Sequence, residues 1–221
     1  MTDEPTRSDA DRRTFLLTQA AELSAKITPE TGDRLLAYLD AMLDLNQRIN
    51  LTGVRDPEQA LILHVLDGLA FARTGLRPRH ILDLGTGNGF PGVCVAALHP
   101  KATTLLMDKT GKKVRAVGTC LLTAGLNTID TIQLDAAQAP KLQPDLRHAF
   151  DLITARAVAR PEALAPLAAP LCRPGGHLTL WLEEDAKTPP KLGRFRLQTE
   201  LPYTLPAPAN RQRKLATWQA T

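Results

Sequence analysis

The fold of this chain is decided by the stretch Asp83-Leu84-Gly85-Thr86-Gly87-Asn88-Gly89-Phe90-Pro91-Gly92. One apolar run ends at Leu82 just before it and another begins at Val93 just after it, which predicts a strand, a tight turn and a helix. Glycine adopts positive φ without a steric penalty and has no Cβ atom, so the alternating glycines let a ligand lie against bare backbone. The stretch therefore predicts a loop that binds a nucleotide-like cofactor.

Two kinds of cofactor site share this geometry, and the acidic residue before the glycines distinguishes them. A dinucleotide fold points a helix N-terminus at a pyrophosphate, whereas the loop of methyltransferases has a carboxylate just before the glycines. Asp83 occupies that position. S-adenosylmethionine carries an ammonium and a sulfonium group but no phosphate, so a carboxylate suits it. We interpret the loop as an S-adenosylmethionine site; the alternatives are a dinucleotide site and a glycine-rich surface turn.

A second acidic residue lies where such folds bind a ribose. The run Thr103–Met107 predicts the second strand, and Asp108 follows it about 25 residues after Asp83. An acidic side chain at this strand tip can accept hydrogen bonds from both ribose hydroxyls. A loop carboxylate or a helix cap is the alternative, but the spacing from the glycine loop favours the ribose.

Composition limits the class of protein. A chain of 221 residues, 43% of them hydrophobic, is long enough for one α/β domain with an extension. It has no apolar run of about 18 residues and begins with a polar segment, so we expect a cytoplasmic protein with no membrane partner. The cysteines at 94, 120 and 172 stand singly in apolar stretches, which predicts buried thiols and no metal site.

The charge balance permits an anionic partner without requiring one. The formal net charge is +4 and the sequence pI is about 9.1, both mildly basic. Aromatic residues make up only 4% of the chain, which argues against a platform that stacks single-stranded bases. Any nucleic acid would therefore be held mainly through its phosphates.

Helical and strand patterns divide the chain. We expect a disordered tail over residues 1–12 and a helical extension over residues 13–75. The last helix of the extension carries His64 and Asp67 three positions apart, for which a surface pair is the default interpretation. Over residues 76–221 strands and helices alternate, which predicts a parallel sheet covered on both faces. Proline-rich stretches near the C-terminus cannot be parallel-sheet core, and the segments 195–198 and 214–219 between and after them could form a closing antiparallel hairpin.

Four motifs together resemble one known family. They are Arg48-Ile49-Asn50-Leu51-Thr52, His64-x-Leu66-Asp67, the glycine loop with its closing Gly89-Phe90-Pro91-Gly92, and Lys112-x-x-Arg115. From about residue 30 to 183 the chain is similar to the RsmG (GidB) family of bacterial small-subunit ribosomal RNA guanine-N7 methyltransferases. The resemblance implies an α/β fold, the Rossmann-like class I S-adenosylmethionine-dependent methyltransferase, with a seven-stranded, mostly parallel sheet and an N-terminal helical extension. Residues 76–221 would be the methyltransferase domain.

The resemblance also implies roles for individual residues. The expected contacts with S-adenosylmethionine are Asp83, Gly85, Thr86, Gly87, Phe90, Asp108, Lys109, Asp135, Ala136, Ala137 and Arg156. The candidates for positioning the substrate in catalysis are His64, Asp67 and Arg156. The candidates for RNA binding are Arg48, Arg55, Lys112, Lys113 and Arg115, each of which could instead be a solvated charge.

The chain departs from the family pattern at three places. Ala137 stands where the family often has an acidic residue, so adenine recognition would depend on backbone amides or on Asp135. Trp181-Leu182 replaces a Lys-Gly pair, and Leu63-His64 lacks the usual arginine. These departures bear on the target and on catalytic strength more than on the fold.

Methylation of guanine N7, the reaction that the resemblance implies, needs no set of residues for general acid–base or nucleophilic catalysis. Guanine N7 has a lone pair and no proton, so its methylation needs no general base. An evident Ser/His/Asp or Cys/His set is accordingly missing. Positive charge moves from sulfur to the purine during transfer, and Asp67 and Asp83 are candidates for stabilising it.

The partners follow from the resemblance. We expect 16S ribosomal RNA or the small ribosomal subunit as substrate, S-adenosyl-L-methionine as cofactor, no metal, and a monomer. One alternative is a small-molecule methyltransferase, which would need an enclosing lid; no long insertion between the fourth and fifth strands offers one. A second is a non-catalytic RNA or ribosome-assembly protein that retains the fold.

Overall fold

Two helices open the part of the chain that the computed structural model describes, residues 8–221. They are α1 (Asp9–Glu22) and α2 (Pro29–Ile49). The side chain of Ser8 accepts a hydrogen bond from the Asp11 amide, and Thr28 caps α2 in the same way. Residues 1–7 of the predicted tail lie outside the described residues. The predicted disorder is wrong for residues 9–12, because the Ser8 cap starts the helix there.

The last helix of the extension is continuous but contains α-helical, π-helical and 3-10 segments. It comprises α3 (Pro57–Ala60), a π-helical segment (Leu61–Leu66), α4 (Asp67–Leu69) and a 3-10 turn (Ala70–Thr74). Asp56 caps its start, where its side chain accepts from the Gln59 amide, and Gly75 ends it with φ of 68°. π-helical turns occur frequently at functional sites, and this one carries His64.

The remaining elements form one sheet with helices on both faces. The strands are β1 (His80–Leu84), β2 (Thr103–Asp108), β3 (Ile129–Gln133), β4 (Phe150–Arg156), β5 (Cys172–Glu183), β6 (Lys191–Leu192), β7 (Phe195–Thr204) and β8 (Gln212–Ala220). The helices are α5 (Gly92–Leu98), α6 (Gly111–Thr123), α7 (Ala139–Leu142) and α8 (Pro161–Ala168), with a 3-10 turn at Pro144–Leu146.

The strand order is β3-β2-β1-β4-β5-β8-β7-β6. Strands β1 to β5 are parallel, and β8, β7 and β6 follow in antiparallel pairing, which confirms the predicted closing hairpin. The sheet has eight strands instead of the expected seven, because the two residues of β6 pair with the start of β7. From β1 the chain adds β2 and β3 on one side and then β4 and β5 on the other, so β1 and β4 flank a topological switch point. Ligands of such sheets bind at the carboxyl ends of the strands beside the switch point.

Apolar side chains cover both faces of the sheet, as predicted. One cluster joins the N-terminal helices to a sheet face, with Leu39 of α2 and Ile81 of β1 fully buried in it. The other cluster lies on the opposite face, where α8 packs against the sheet, and Ile153 of β4 and Trp218 of β8 are fully buried in it. Burying one such side chain stabilises the fold by about 1.5–3 kcal/mol. The helical extension thus shares a core with the sheet, and its division from the rest at residue 75 stays a prediction.

Candidate functional site

A cavity of about 640 Å³ opens at the carboxyl edge of the sheet, where the glycine loop follows β1. Small-molecule sites in proteins typically enclose about 300–1,000 Å³. The predicted site residues that line it are His64, Asp67, Gly85, Thr86, Gly87, Phe90, Asp108, Lys109, Lys113, Asp135, Ala136 and Arg156. The predicted residues outside its lining are Asp83, Ala137, Arg48, Arg55, Lys112 and Arg115.

The glycine loop has the backbone that its sequence predicted. Gly85, Gly87 and Gly89 have φ of 72°, 60° and 93°, values that favour glycine over any L side chain. The amides of Gly85 and Thr86 both donate to the carbonyl of Met107 at 2.9 Å, which ties the loop to the end of β2. The loop therefore presents bare backbone to the cavity.

Asp108 joins the glycine loop to the next helix and also faces the cavity. Its Oδ2 accepts from the Gly87 amide at 2.9 Å, and its Oδ1 accepts from the Thr110 amide at 2.8 Å. Each carboxylate oxygen can accept a second hydrogen bond, so two acceptor positions are left for ribose hydroxyls. Asp108 is a loop carboxylate and not the cap of α6, whose N-cap is Thr110, and this loop role is compatible with the ribose role that the sequence offered as its alternative.

Tyr38 of the helical extension holds the glycine loop from behind. Its hydroxyl donates to the carbonyl of Asn88 at 2.9 Å, and its fully buried ring meets Phe90 edge-on with centroids 5.2 Å apart. A Cβ atom on Gly89 would collide with the Tyr38 hydroxyl. The extension thus fixes the shape of the cofactor loop, a role that the sequence did not reveal.

Tyr38→Phe should weaken S-adenosylmethionine binding severalfold with little change in secondary structure. The variant keeps the ring and leaves the buried Asn88 carbonyl without a donor, which costs about 1–3 kcal/mol. Calorimetric titration and denaturant unfolding measure the two effects. Thr179→Val is a matched control, because it removes a buried hydrogen bond to Thr217 away from the loop. If Tyr38→Phe bound S-adenosylmethionine as tightly as the wild type, Tyr38 would not be supporting the glycine loop.

The structure does not place Asp83 in the cavity lining, and its predicted contact with the cofactor stays a prediction. Its side chain is 1% exposed and lies under the loop, where Thr154 Oγ1 donates to its Oδ1 at 2.6 Å. Side chains alternate along β1, so Asp83 shares the face of Ile81, and α5 covers it at Gly92. Burial raises the Asp83 pKa to about 6, partly offset by the Thr154 hydrogen bond. The residue supports the loop from inside the fold.

Asp67 is the centre of a buried charged cluster. It is 2% exposed, so the surface pair expected for it and His64 is wrong. Arg156 Nη1 donates to its Oδ2 at 2.7 Å, and the Tyr203 hydroxyl donates to its Oδ1 at 2.5 Å. Arg213 Nε lies 3.8 Å from Oδ1. Two guanidinium groups thus flank one carboxylate at the cavity wall.

Trp181 also belongs to this cluster. Its indole Nε1 donates to the backbone carbonyl of Asp67 at 2.7 Å, and its ring stacks on Phe71. The tryptophan that departs from the family pattern at this position is therefore a buried residue that holds the backbone of Asp67. Sequence alone could not show this contact, because 114 residues separate the two partners.

His64 is neutral in this site. Arg156 Nη2 lies 3.2 Å from His64 Nδ1, and since a guanidinium only donates, Nδ1 accepts and the ring proton is on Nε2, 3.1 Å from Thr52 Oγ1. The ring stacks on Phe90 with centroids 5.6 Å apart. Burial, aided by the Arg156 charge, lowers the His64 pKa to about 3. His64 therefore positions neighbouring groups instead of exchanging protons near neutral pH.

His64→Gln should reduce the loss of stability on acidification. With its pKa lowered from 6.5 to about 3 by folding, His64 makes the free energy of unfolding fall as pH drops below 6.5. The raised Asp83 pKa acts oppositely and adds stability as pH falls through about 6. When the pH is lowered from about 7.5 to 5, the free energy of unfolding should fall by about 2 kcal/mol less in the variant than in the wild type. Denaturant unfolding measures it at both pH values. NMR titration of the His64 ring between those values would contradict this prediction.

The C-terminal hairpin supplies cavity residues that the sequence did not predict. Arg213 of β8 and Arg211 just before that strand line the cavity, and Arg213 also pairs with Glu183 at 2.7 Å. Val158 lines it too, with its side chain against Gly85. Only the pairing of β8 with β5 brings these arginines to the site. No local motif marks them.

Of the five predicted RNA-binding residues, one lines the cavity. Lys113 lines it, and Lys112 and Arg115 are exposed on the same helix, α6. Arg48 is exposed at the end of α2, and Arg55 lines a separate groove with Asp40. Ala137 lies just beyond the cavity, where its amide donates to Asp135 Oδ1 at 2.9 Å.

The site fits S-adenosylmethionine on three observations. The loop offers backbone without side chains, Asp108 has free acceptor positions, and the apolar side chains of Met107 and Leu134 line the wall between them. Within residues 8–221 no three His, Cys, Asp or Glu side chains are grouped as a metal site would require. None of the described helices is long and apolar enough to cross a membrane.

Strand order, glycine loop and cavity together define a class I S-adenosylmethionine-dependent methyltransferase. A SAM-dependent methyltransferase from Aquifex aeolicus has the same fold, with a TM-score of 0.57 and 15% identity over 78% of this chain and 97% of that chain. An O-methyltransferase from Bacillus cereus in complex with SAH also has a TM-score of 0.57, with 17% identity over 82% of this chain and 90% of the other.

The chain belongs to the GidB family, rRNA small subunit methyltransferase G, whose sequence profile matches residues 32–191. The ribosomal RNA small subunit methyltransferase G of Psychrobacter sp. (strain PRwf-1) is 34% identical, covering 75% of this chain and 72% of the relative. That of Chromohalobacter salexigens is 35% identical, covering 75% and 76%. The resemblance of the four motifs is confirmed, and the chain is an S-adenosylmethionine-dependent enzyme.

Proposed function

We propose that this enzyme methylates N7 of a guanine in 16S ribosomal RNA of the small subunit. The observation that carries the proposal is the cavity itself, which joins a bare glycine loop and a free ribose acceptor to a wall of arginines. Curated relatives named ribosomal RNA small subunit methyltransferase G support an RNA substrate. The family's guanine-N7 specificity supports the choice of target atom.

Specific residues would hold the cofactor. The glycine loop would contact its methionine part, Asp108 its ribose hydroxyls, and the backbone around Ala136 with Asp135 its adenine. When bound, S-adenosylmethionine supplies an electrophilic methyl group. The protein then has to align that group with the guanine and exclude water.

The electrostatics of the site suit a reaction without proton transfer. N7 carries no proton, and neutral His64, whose pKa is about 3, offers no acid at neutral pH. The Asp67 carboxylate is already flanked by Arg156 and Arg213, so its ability to stabilise positive charge on the purine is reduced. We assign Asp67 the task of holding the two arginines, which would face the RNA backbone.

Lys109 and Lys113 would extend RNA binding at the cavity mouth, with Lys112, Arg115, Arg48 and Arg55 further out. Such contacts to phosphates make binding salt-dependent. Work on a ribosomal substrate would place the enzyme in the cytoplasm, and we propose that it acts as a monomer. Sedimentation at micromolar concentration tests the monomer directly.

The test is a methylation assay on small ribosomal subunits that lack the modification. Labelled methyl groups should appear in 16S RNA as 7-methylguanine, and Asp108→Ala should abolish the transfer. Label in another base or in small metabolites would overturn the proposal. Calorimetry with S-adenosylmethionine separates a non-catalytic RNA-binding protein, which would show no binding.

A further inference from the structure

A groove of about 620 Å³ lies at the amino edge of the sheet, opposite the active site. Arg77 and Arg79 line it from the segment before β1, and Lys101 lines it from the segment before β2. Because β1 and β2 are parallel, these segments meet at the same edge. The five residues of β1 separate this edge from the glycine loop by about 16 Å.

The cations of this groove are not neutralised by nearby carboxylates. Within residues 8–221, none of Arg77, Arg79 and Lys101 forms an ion pair, and all three are exposed. None of the described residues that line the groove carries a carboxylate; Asp151 lines a neighbouring depression instead, where it is buried and accepts from the backbone amides of Arg79 and His80 at 2.9 Å. Its other partner is Arg173, at 3.1 Å. The edge therefore keeps an excess of positive charge.

The basic groove continues into a second depression. Arg77 lines both, and the smaller depression, of about 130 Å³, adds Arg173 and His177. The imidazole of His99 also lines the groove, and burial, aided by the charge of Arg77, lowers the pKa of that ring. Cationic side chains thus run as a strip across the amino ends of the strands.

We propose that this strip, centred on Arg77, Arg79 and Lys101, is a second RNA-binding surface that grips phosphates away from the methylated nucleotide. Arginine forks and lysine ammonium groups match phosphate oxygens, and three exposed cations along one edge suit successive phosphates of an RNA backbone. The inference rests on the proposed ribosomal RNA substrate. A large folded RNA can reach both edges of the sheet, whereas a single nucleotide cannot.

The test compares two triple variants with equal loss of charge. One is Arg77→Ala/Arg79→Ala/Lys101→Ala, and the control is Lys187→Ala/Lys191→Ala/Arg196→Ala on exposed positions near the β6 edge. Binding of deproteinised 16S RNA is measured by filter retention across a salt series. The groove variant should bind about tenfold more weakly at low salt, with a slope of log K against log salt that is lower by about 2–3. The control should match the wild type.

Each other outcome has a distinct meaning. Equal RNA affinity and slope in both triple variants would overturn the inference, while methylation by the wild type would leave the proposed function standing. Weaker binding only to assembled subunits would overturn it as well, because the groove would then contact a ribosomal protein. Unchanged S-adenosylmethionine affinity and thermal unfolding in the groove variant are required for the expected result to count.

Discussion

Asp67→Asn should lower the free energy of unfolding by about 3–5 kcal/mol and abolish methyl transfer. The side chain of Asp67 is 2% exposed, and those of Arg156 and Arg213 are only 11% and 13% exposed. Removing the negative charge leaves two poorly solvated guanidinium groups beside a neutral side chain in the cavity wall. The Tyr203 hydroxyl also loses its charged acceptor. Urea unfolding and a methylation assay measure the two losses.

Glu183→Gln provides the matched control for this variant. Glu183 also pairs with Arg213, at 2.7 Å, but its side chain is 56% exposed, so solvent screens the interaction. An exposed pair of this kind contributes about 0–1 kcal/mol, and we expect a correspondingly small effect. If Asp67→Asn proved no more damaging than Glu183→Gln, the buried cluster could not be what organises the cavity wall.

The fold could be predicted because its signals are local. The glycine loop and the apolar runs on either side determine a strand, a turn and a helix within about 15 residues, and the alternation that follows determines the parallel sheet. The place of Asp108 in the cavity lining was predictable for the same reason, since it depends only on where β2 ends. The extra strand β6 was missed because two residues carry no periodicity.

The candidate site was predicted less completely, because part of it comes from distant segments. Tyr203 reaches Asp67 across 136 positions, and Arg213 arrives through the pairing of β8 with β5. Asp83 was assigned to the cofactor from its place before the glycines. Its side chain instead follows the alternation of β1 into the core. A motif determines the course of the backbone, whereas the alternation of side chains along a strand determines which face of the sheet each side chain lies on.

Gly89→Ala should lower the free energy of unfolding by about 3 kcal/mol and weaken S-adenosylmethionine binding at least about tenfold. The backbone of Gly89 has φ of 93°, which strains any L residue, and a Cβ atom there would collide with the Tyr38 hydroxyl. Relief would require moving either the loop or a fully buried ring of α2. Both movements displace the backbone that faces the cofactor. Denaturant unfolding and calorimetric titration give the two values.

Gly125→Ala separates backbone strain from collision. Gly125 has φ of 65°, but no atom lies within 4 Å of the position its Cβ would take. Its replacement should therefore cost only the strain, about 1–2 kcal/mol, and leave cofactor affinity unchanged. The difference between the two variants measures the contact between Tyr38 and the loop. Equal effects on stability, with normal cofactor binding in both, would mean that the helical extension does not shape the site.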